Sequence, residues 1–130
     1  DVHMSRGLGD VYKRQLLSNA GHEPPLVIDK EQNFSNFSEA GPPLGITSKI
    51  KYKETTTNFS DSSMYIFTDG ITEIRDPSGD MLEVEGFQKY IKKYQHTPNN
   101  KRLKLMIEDI VKAGMIQKDD LTIVTVDSVQ

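Results

Sequence analysis

The sequence predicts an α+β fold with antiparallel strand pairing. Three observations carry that expectation. Short apolar runs bounded by Gly, Pro, Asn and Asp fill the first two thirds, two stripes of helical period follow, and one β-branched run closes the chain. Strands segregated from helices argue against the strict alternation that builds a doubly wound parallel sheet.

Leu16, Leu17 and Ser18 lead into NAGHEPPL (Asn19 to Leu26), where Gly21 and Pro24-Pro25 are strong punctuation. One strand therefore ends near Gly21 and another begins near Leu26. Leu26-Val27-Ile28 reads as a short buried strand. Asp29 to Ala40 is polar and reads as a loop or hairpin connection. In GPPLGI (Gly41 to Ile46) the prolines fix φ and the glycines tolerate unusual angles, so the segment is rigid and kinked. From Lys49 to Thr57, Ile50 and Tyr52 alternate with Lys49, Lys51 and Lys53 before a run of threonines, which predicts a half-exposed strand. Met64 to Thr68 (MYIFT) carries no charge and reads as a central strand ending at Asp69-Gly70.

The period then changes. Phe87, Tyr90, Ile91 and Tyr94 follow the i, i+3, i+4, i+7 rule of a helix with one apolar stripe. Leu103, Met106, Ile107, Ile110 and Val111 repeat that spacing, with Asn99 or Asn100 as N-cap after Pro98 and Gly114 closing the helix. Leu121 to Val126 (LTIVTV) is the closing strand, preceded by Asp119-Asp120.

A length of 130 residues is one domain's worth. With 16 basic and 19 acidic residues the net charge is −3, and no basic run breaks that balance. Nucleic acid and anionic lipid are therefore poor matches as partners. Lys92-Lys93 and the Lys101-Arg102-Lys104 cluster read as solvated helix faces, and His96 as a solvated residue after a helix. The lack of Cys excludes a disulfide scaffold, a thiolate nucleophile and a Cys-ligated metal. The apolar runs are too short for a membrane span or a signal peptide, so the expected location is cytoplasmic.

The stretch Ser5 to Gln15 (SRGLGDVYKRQ) resembles a translated sequencing adapter, so residues 1–15 are expected to be non-native. Setting them aside removes three bases and two acids, leaving 13 and 17 and a net charge of −4. The competing reading is a natural N-terminal arm with a Gly-rich turn before a short strand. On the adapter reading, the natural protein enters near Leu16, part-way through a domain.

Two acidic positions stand out. Asp69 ends an apolar strand beside a Gly, and Asp119 and Asp120 begin the last strand. If those strands are antiparallel neighbours, the end of one lies beside the start of the other, and Asp69 and Asp119 face each other across one rim. Two bare carboxylates about 4 Å apart at an effective dielectric of about 20 cost roughly 4 kcal/mol, so a proton or a cation must sit with them. All-oxygen ligands favour Mg²⁺ or Mn²⁺. The plainer readings are a turn at Asp-Gly and a cap or edge gatekeeper at Asp-Asp. His22, in a Gly-rich turn, reads first as a loop residue bonded to backbone and second as a general acid. No phosphate-cradling glycine motif is present. FTDGIT is superficially similar to the Asp-x-Asp-Gly-Thr start of haloacid-dehalogenase-type phosphatases, but Phe67 stands in the nucleophile's place.

Taken in order, NAGHEPPL, GPPLGI, FSDSSMYIFTDGITEIRDPSG and KDDLTIV resemble the PPM-type (type 2C-like) serine/threonine phosphatases, in their bacterial stage II sporulation E (SpoIIE) branch. The likeness covers nearly all of Leu16 to Val126. It implies an αββα sandwich of antiparallel sheets flanked by helices, of which residues 16–130 are the C-terminal part and the N-terminal half is missing. It implies two Mn²⁺ or Mg²⁺ in the complete domain, with Asp69 and Asp119 as ligands and Asp120 either behind them or the ligand in place of Asp119. It implies that metal-activated water, with no covalent phosphoenzyme, attacks phosphoserine or phosphothreonine on a regulatory protein, often of the anti-anti-sigma type. Activity is expected of the parent protein, since half a site should hold metal poorly.

The sequence departs from that family in three places. Ser60 replaces the usual Gly before Asp61, Leu82-Glu83 stands where a Phe-Gly pair is common, and the acidic motifs of the family's N-terminal half are missing. Gly9-Asp10-Val11-Tyr12-Lys13 imitates one of them, but inside the adapter-like stretch, and Asp10 receives no role. Two alternatives are a catalytically inactive phosphatase-like module that binds a regulatory protein, and a complete small binding domain.

Overall fold

The computed structural model describes residues 14–18, 22–35, 41, 43–46, 48–49, 51–52 and 54–128. Residues 1–13 of the stretch set aside above lie outside these. The strands are β1 (Arg14–Ser18), β2 (Leu26–Ile28), β3 (Phe34–Ser35), β4 (Glu54–Asn58), β5 (Ser63–Phe67) and β6 (Ile123–Asp127). The helices are α1 (Asp69–Thr72), α2 (Glu83–Lys93) and α3 (Asn99–Lys112). The fold is α+β, and its sheets are antiparallel. β1 pairs with β4, Arg14 opposite Asn58 and Ser18 opposite Glu54. The other four strands lie in the order β3-β2-β5-β6. Ile28 of β2 stands opposite both Phe34 and Ser63. The Thr68 N–H donates to Thr122 O and the Ser128 N–H to Ser62 O, so β6 runs antiparallel to β5.

The chain divides into two compact units, one running to Tyr65 and resuming at Val126, the other Ile66–Thr125. In the first, all three residues of β2 are buried, as their unbroken apolar run requires. Val27, Met64 and Phe59 pack together, and Leu17 of β1 packs against them, so the two sheets meet there. The polar connection after β2 is a hairpin closed by Asp29, whose Oδ1 accepts the Glu31 and Asn33 N–H groups, each at 2.9 Å. At its tip Gln32 adopts φ +68°.

The strand expected from Lys49 begins instead at Glu54, with Lys49, Lys51 and Tyr52 outside it and Ile50 and Lys53 outside the described residues. The last described residue of β1, Ser18, stands opposite Glu54. Tyr52 turns its hydroxyl to the Pro43 carbonyl, 3.4 Å away.

In the second unit the core comprises Phe67, Ile71, Ile74, Phe87, Ile91, Met106 and Ile110. The Phe67 and Phe87 rings meet edge to face, 5.0 Å apart at 70°, joining β5 to α2. Helix α3 corrects the sequence reading by rotating its stripe. Its buried positions are Arg102, Met106 and Ile110, while Val111 is exposed. Arg102 is thus no solvated residue: it is 4% exposed. Its Nε and Nη2 donate to Thr97 O at 3.1 and 3.0 Å, and Nη1 reaches Thr125 Oγ1 at 3.5 Å. A guanidinium can be buried when its fork is satisfied in this way. The cap is Pro98 rather than Asn99 or Asn100, its carbonyl accepting the Lys101 and Arg102 N–H groups. Gly114, at φ +78°, follows the helix end as expected.

Candidate functional site

The site is built where β5 stops. Thr68 is still extended, at φ −96° and ψ 164°, and the chain then enters the single helical turn α1. The expected Asp-Gly turn is therefore the start of a helix. Ile71 and Ile74 are buried and pin this segment inward, which leaves the Asp69 side chain exposed. Asp69 O accepts the Glu73 N–H at 2.9 Å and the Thr72 hydroxyl at 3.1 Å.

The approach to β6 runs beside this turn. Arg75 and Ile116 exchange both main-chain hydrogen bonds, at 3.1 and 2.7 Å. Thr68 and Thr122 are joined twice, by the Thr68 N–H to Thr122 O at 3.0 Å and by the Thr122 N–H to Thr68 Oγ1 at 3.1 Å. Between these ties Gly70 comes against Asp120 so closely that a Cβ on Gly70 would lie 2.1 Å from the Asp120 carbonyl oxygen. Two turns distant in the sequence thus share one edge, and Asp69, Asp119 and Asp120 are all exposed on them. Asp119 is locally ordered: its Oδ1 accepts the Asp120 N–H and its carbonyl accepts Gln117 Nε2, both at 2.8 Å.

Sequence reasoning overlooked Thr68 and Gln117. Each had a signal, a Thr at a strand end before Asp-Gly and an amide two residues ahead of Asp-Asp. His22 lies in the other unit, with its ring Nδ1 on the Glu23 carbonyl at 2.9 Å, as the plainer reading expected.

Carboxylate oxygens suit a hard divalent cation in kind. In number they fall short of a closed cage, since among the described residues no three of His, Cys, Asp and Glu converge on one point. Among the same residues no helix is long and apolar enough to cross a membrane.

Known proteins share this fold. The SiaA-PP2C domain of Pseudomonas aeruginosa superposes with a TM-score of 0.73 at 14% identity, over 89% of this chain and 47% of that one. The RsbU and RsbW domains of Rv1364c from Mycobacterium tuberculosis give 0.62 at 17%, over 87% and 32%. The phosphatase domain of the cell fate determinant SpoIIE from Bacillus subtilis, presoaked in Mn, gives 0.57 at 16%, over 90% and 56%. At these identities the likeness is one of fold. By sequence, Protein IcfG of Synechocystis sp. is 28% identical over 116 residues, 83% of this chain and 17% of that protein. The chain therefore spans about half or less of the length of each of these relatives. The family model for stage II sporulation protein E matches residues 7–128, a span that holds both acidic turns, and the chain belongs to the SpoIIE family.

Proposed function

We propose that the protein carrying this chain is a metal-dependent phosphatase acting on phosphoserine or phosphothreonine of a regulatory partner protein. Asp69 and Asp119 are the carboxylate ligands this chain contributes to a pair of Mn²⁺ or Mg²⁺ ions, with Asp120 either behind them or the ligand in place of Asp119. The observation that carries the reading is the contact of Gly70 with Asp120, which sets the Asp69 turn beside the Asp119-Asp120 turn on one exposed edge. Family membership supports it, and so does the metal-soaked phosphatase domain among the similar folds. The partner class, a phosphorylated regulator of the anti-anti-sigma type, rests on the family resemblance and on a similar fold that occurs with an RsbW domain.

When bound, such ions stabilise charge on a phosphoryl oxygen and make water a better nucleophile. The chain's own contribution is positional. Helix α1 holds Asp69 at the strand end, and Gln117 fixes the main chain of Asp119. Strand pairing carries both turns, so little main-chain movement is needed to bring their carboxylates to one cation.

The test is turnover of a phosphoserine peptide by the complete protein of the natural reading frame, with Mn²⁺, against Asp69→Asn and Asp119→Asn. Each variant is expected to lose more than the roughly 10–100-fold that removing an outer partner of a metal ligand costs. Unchanged turnover in both would overturn the reading. A wild-type protein that binds the phosphorylated partner but never releases phosphate would favour a phosphatase-like binding module.

A further inference from the structure

We infer that the Thr68 side chain is a positioning group: its hydroxyl replaces a main-chain carbonyl in the pairing of β5 with β6 and thereby locks the Asp69 turn against the Asp119-Asp120 turn. In an antiparallel ladder, a hydrogen-bonded pair exchanges two N–H···O=C bonds. Thr68 and Thr122 keep one, from the Thr68 N–H to Thr122 O at 3.0 Å. The return bond from the Thr122 N–H ends on Thr68 Oγ1, at 3.1 Å. The Thr68 carbonyl has turned away to accept the Ile71 N–H at 3.3 Å, opening α1.

A second feature points the same way. Thr68 is the N-cap of α1, where a Thr oxygen ordinarily accepts an N–H of the first turn. Here it makes no such cap bond. The oxygen is spent across the strands, at the one residue where the chain must leave the sheet and keep its register. One residue on is Asp69, and two on is Gly70, in contact with Asp120. Ser preserves this acceptor, whereas Val keeps the shape of Thr and removes it.

The metal part of this inference rests on the proposed function; the clamp itself does not. The experiment uses the complete protein labelled with ¹⁵N, as wild type, Thr68→Val, Thr68→Ala and Thr68→Ser. Hydrogen exchange at the Thr122 amide is expected to speed up by about tenfold in Thr68→Val and Thr68→Ala and to stay near wild type in Thr68→Ser. The Gly70 and Asp120 amide resonances should move in the first two and return in Thr68→Ser. Direct Mn²⁺ titration should show affinity about tenfold weaker in Thr68→Val, again rescued by Ser. Unchanged exchange at Thr122 in both Val and Ala overturns the clamp. Faster exchange with unmoved Gly70 and Asp120 resonances overturns the positioning role. A wild-type protein that binds no Mn²⁺ overturns the proposed function instead, and the amide readouts still decide the clamp.

Discussion

Gly70 and Asp120 lie backbone to backbone, so that a methyl group on the Gly70 α-carbon would stand 2.1 Å from the Asp120 oxygen and 2.9 Å from its carbonyl carbon. Neither side can yield easily. The Thr68–Thr122 bonds hold one flank and the Arg75–Ile116 pair holds the other. The glycine of Thr-Asp-Gly is thus required by a segment far along the chain, not by a left-handed backbone angle.

Gly70→Ala is accordingly expected to cost about 2–4 kcal/mol, because main chain must move to admit the methyl. Gly86→Ala is the control, since the atoms nearest its added methyl belong to the Leu82 side chain, the first at 2.5 Å. That side chain can change rotamer, and the substitution should cost less than about 1 kcal/mol. Urea denaturation of both variants checks the contrast. Equal losses would mean that the two acidic turns are not held together.

Arg102 holds Thr97 and the start of α3 through two donors to one carbonyl. Lys carries a single point of donation on a flexible stem, so Arg102→Lys is expected to destabilise by about 1–3 kcal/mol despite keeping the charge. The measurement is the shift of the denaturation midpoint at constant m-value. No shift would return Arg102 to the solvated face that its flanking lysines suggest.

Glu83 adopts φ +60°, in the left-handed region. It stands where the family resemblance puts the Gly of a Phe-Gly pair. A side chain there costs roughly 1 kcal/mol relative to Gly, so Glu83→Gly should raise stability by about 0.5–1 kcal/mol while Glu83→Ala should not. Thermal melts of the two variants distinguish relief of backbone strain from loss of the Glu side chain.

Asp109 of α3 accepts from Lys93 and, at 2.7 Å, from the Tyr94 hydroxyl of the segment ending α2. The bond from Lys93, then that from Tyr94, holds the Asp109 carboxyl below the usual carboxylate range. Asp109 in turn holds the Lys93 ammonium and the Tyr94 hydroxyl above their ordinary values. A lowered carboxyl contributes stability above its unfolded value near about pH 4 and loses it as pH falls through the folded value. The raised Lys and Tyr contribute below about pH 10 and lose that contribution as pH rises through their folded values. The melting-temperature gap between wild type and Asp109→Asn should therefore be flat near neutrality and close toward both extremes. A gap that does not narrow at all as the pH is taken down until the Asp109 carboxyl is protonated in the folded protein, as followed by NMR, would show that the carboxylate's charge is not what holds the helices.

The sequence by itself determined the α+β order, the buried β2 and β5, the existence of α2 and α3, the closing strand and the two acidic turns. Each is written in local periodicity and turn chemistry, which act over a few neighbouring residues. Tertiary structure decided the rest. It left Lys51 and Tyr52 out of β4, and it rotated the buried stripe of α3 onto Arg102 because Thr97 and Thr125 could satisfy the guanidinium. It alone set Gly70 against Asp120, since cross-strand pairing joins residues whose separation along the chain carries no local signal.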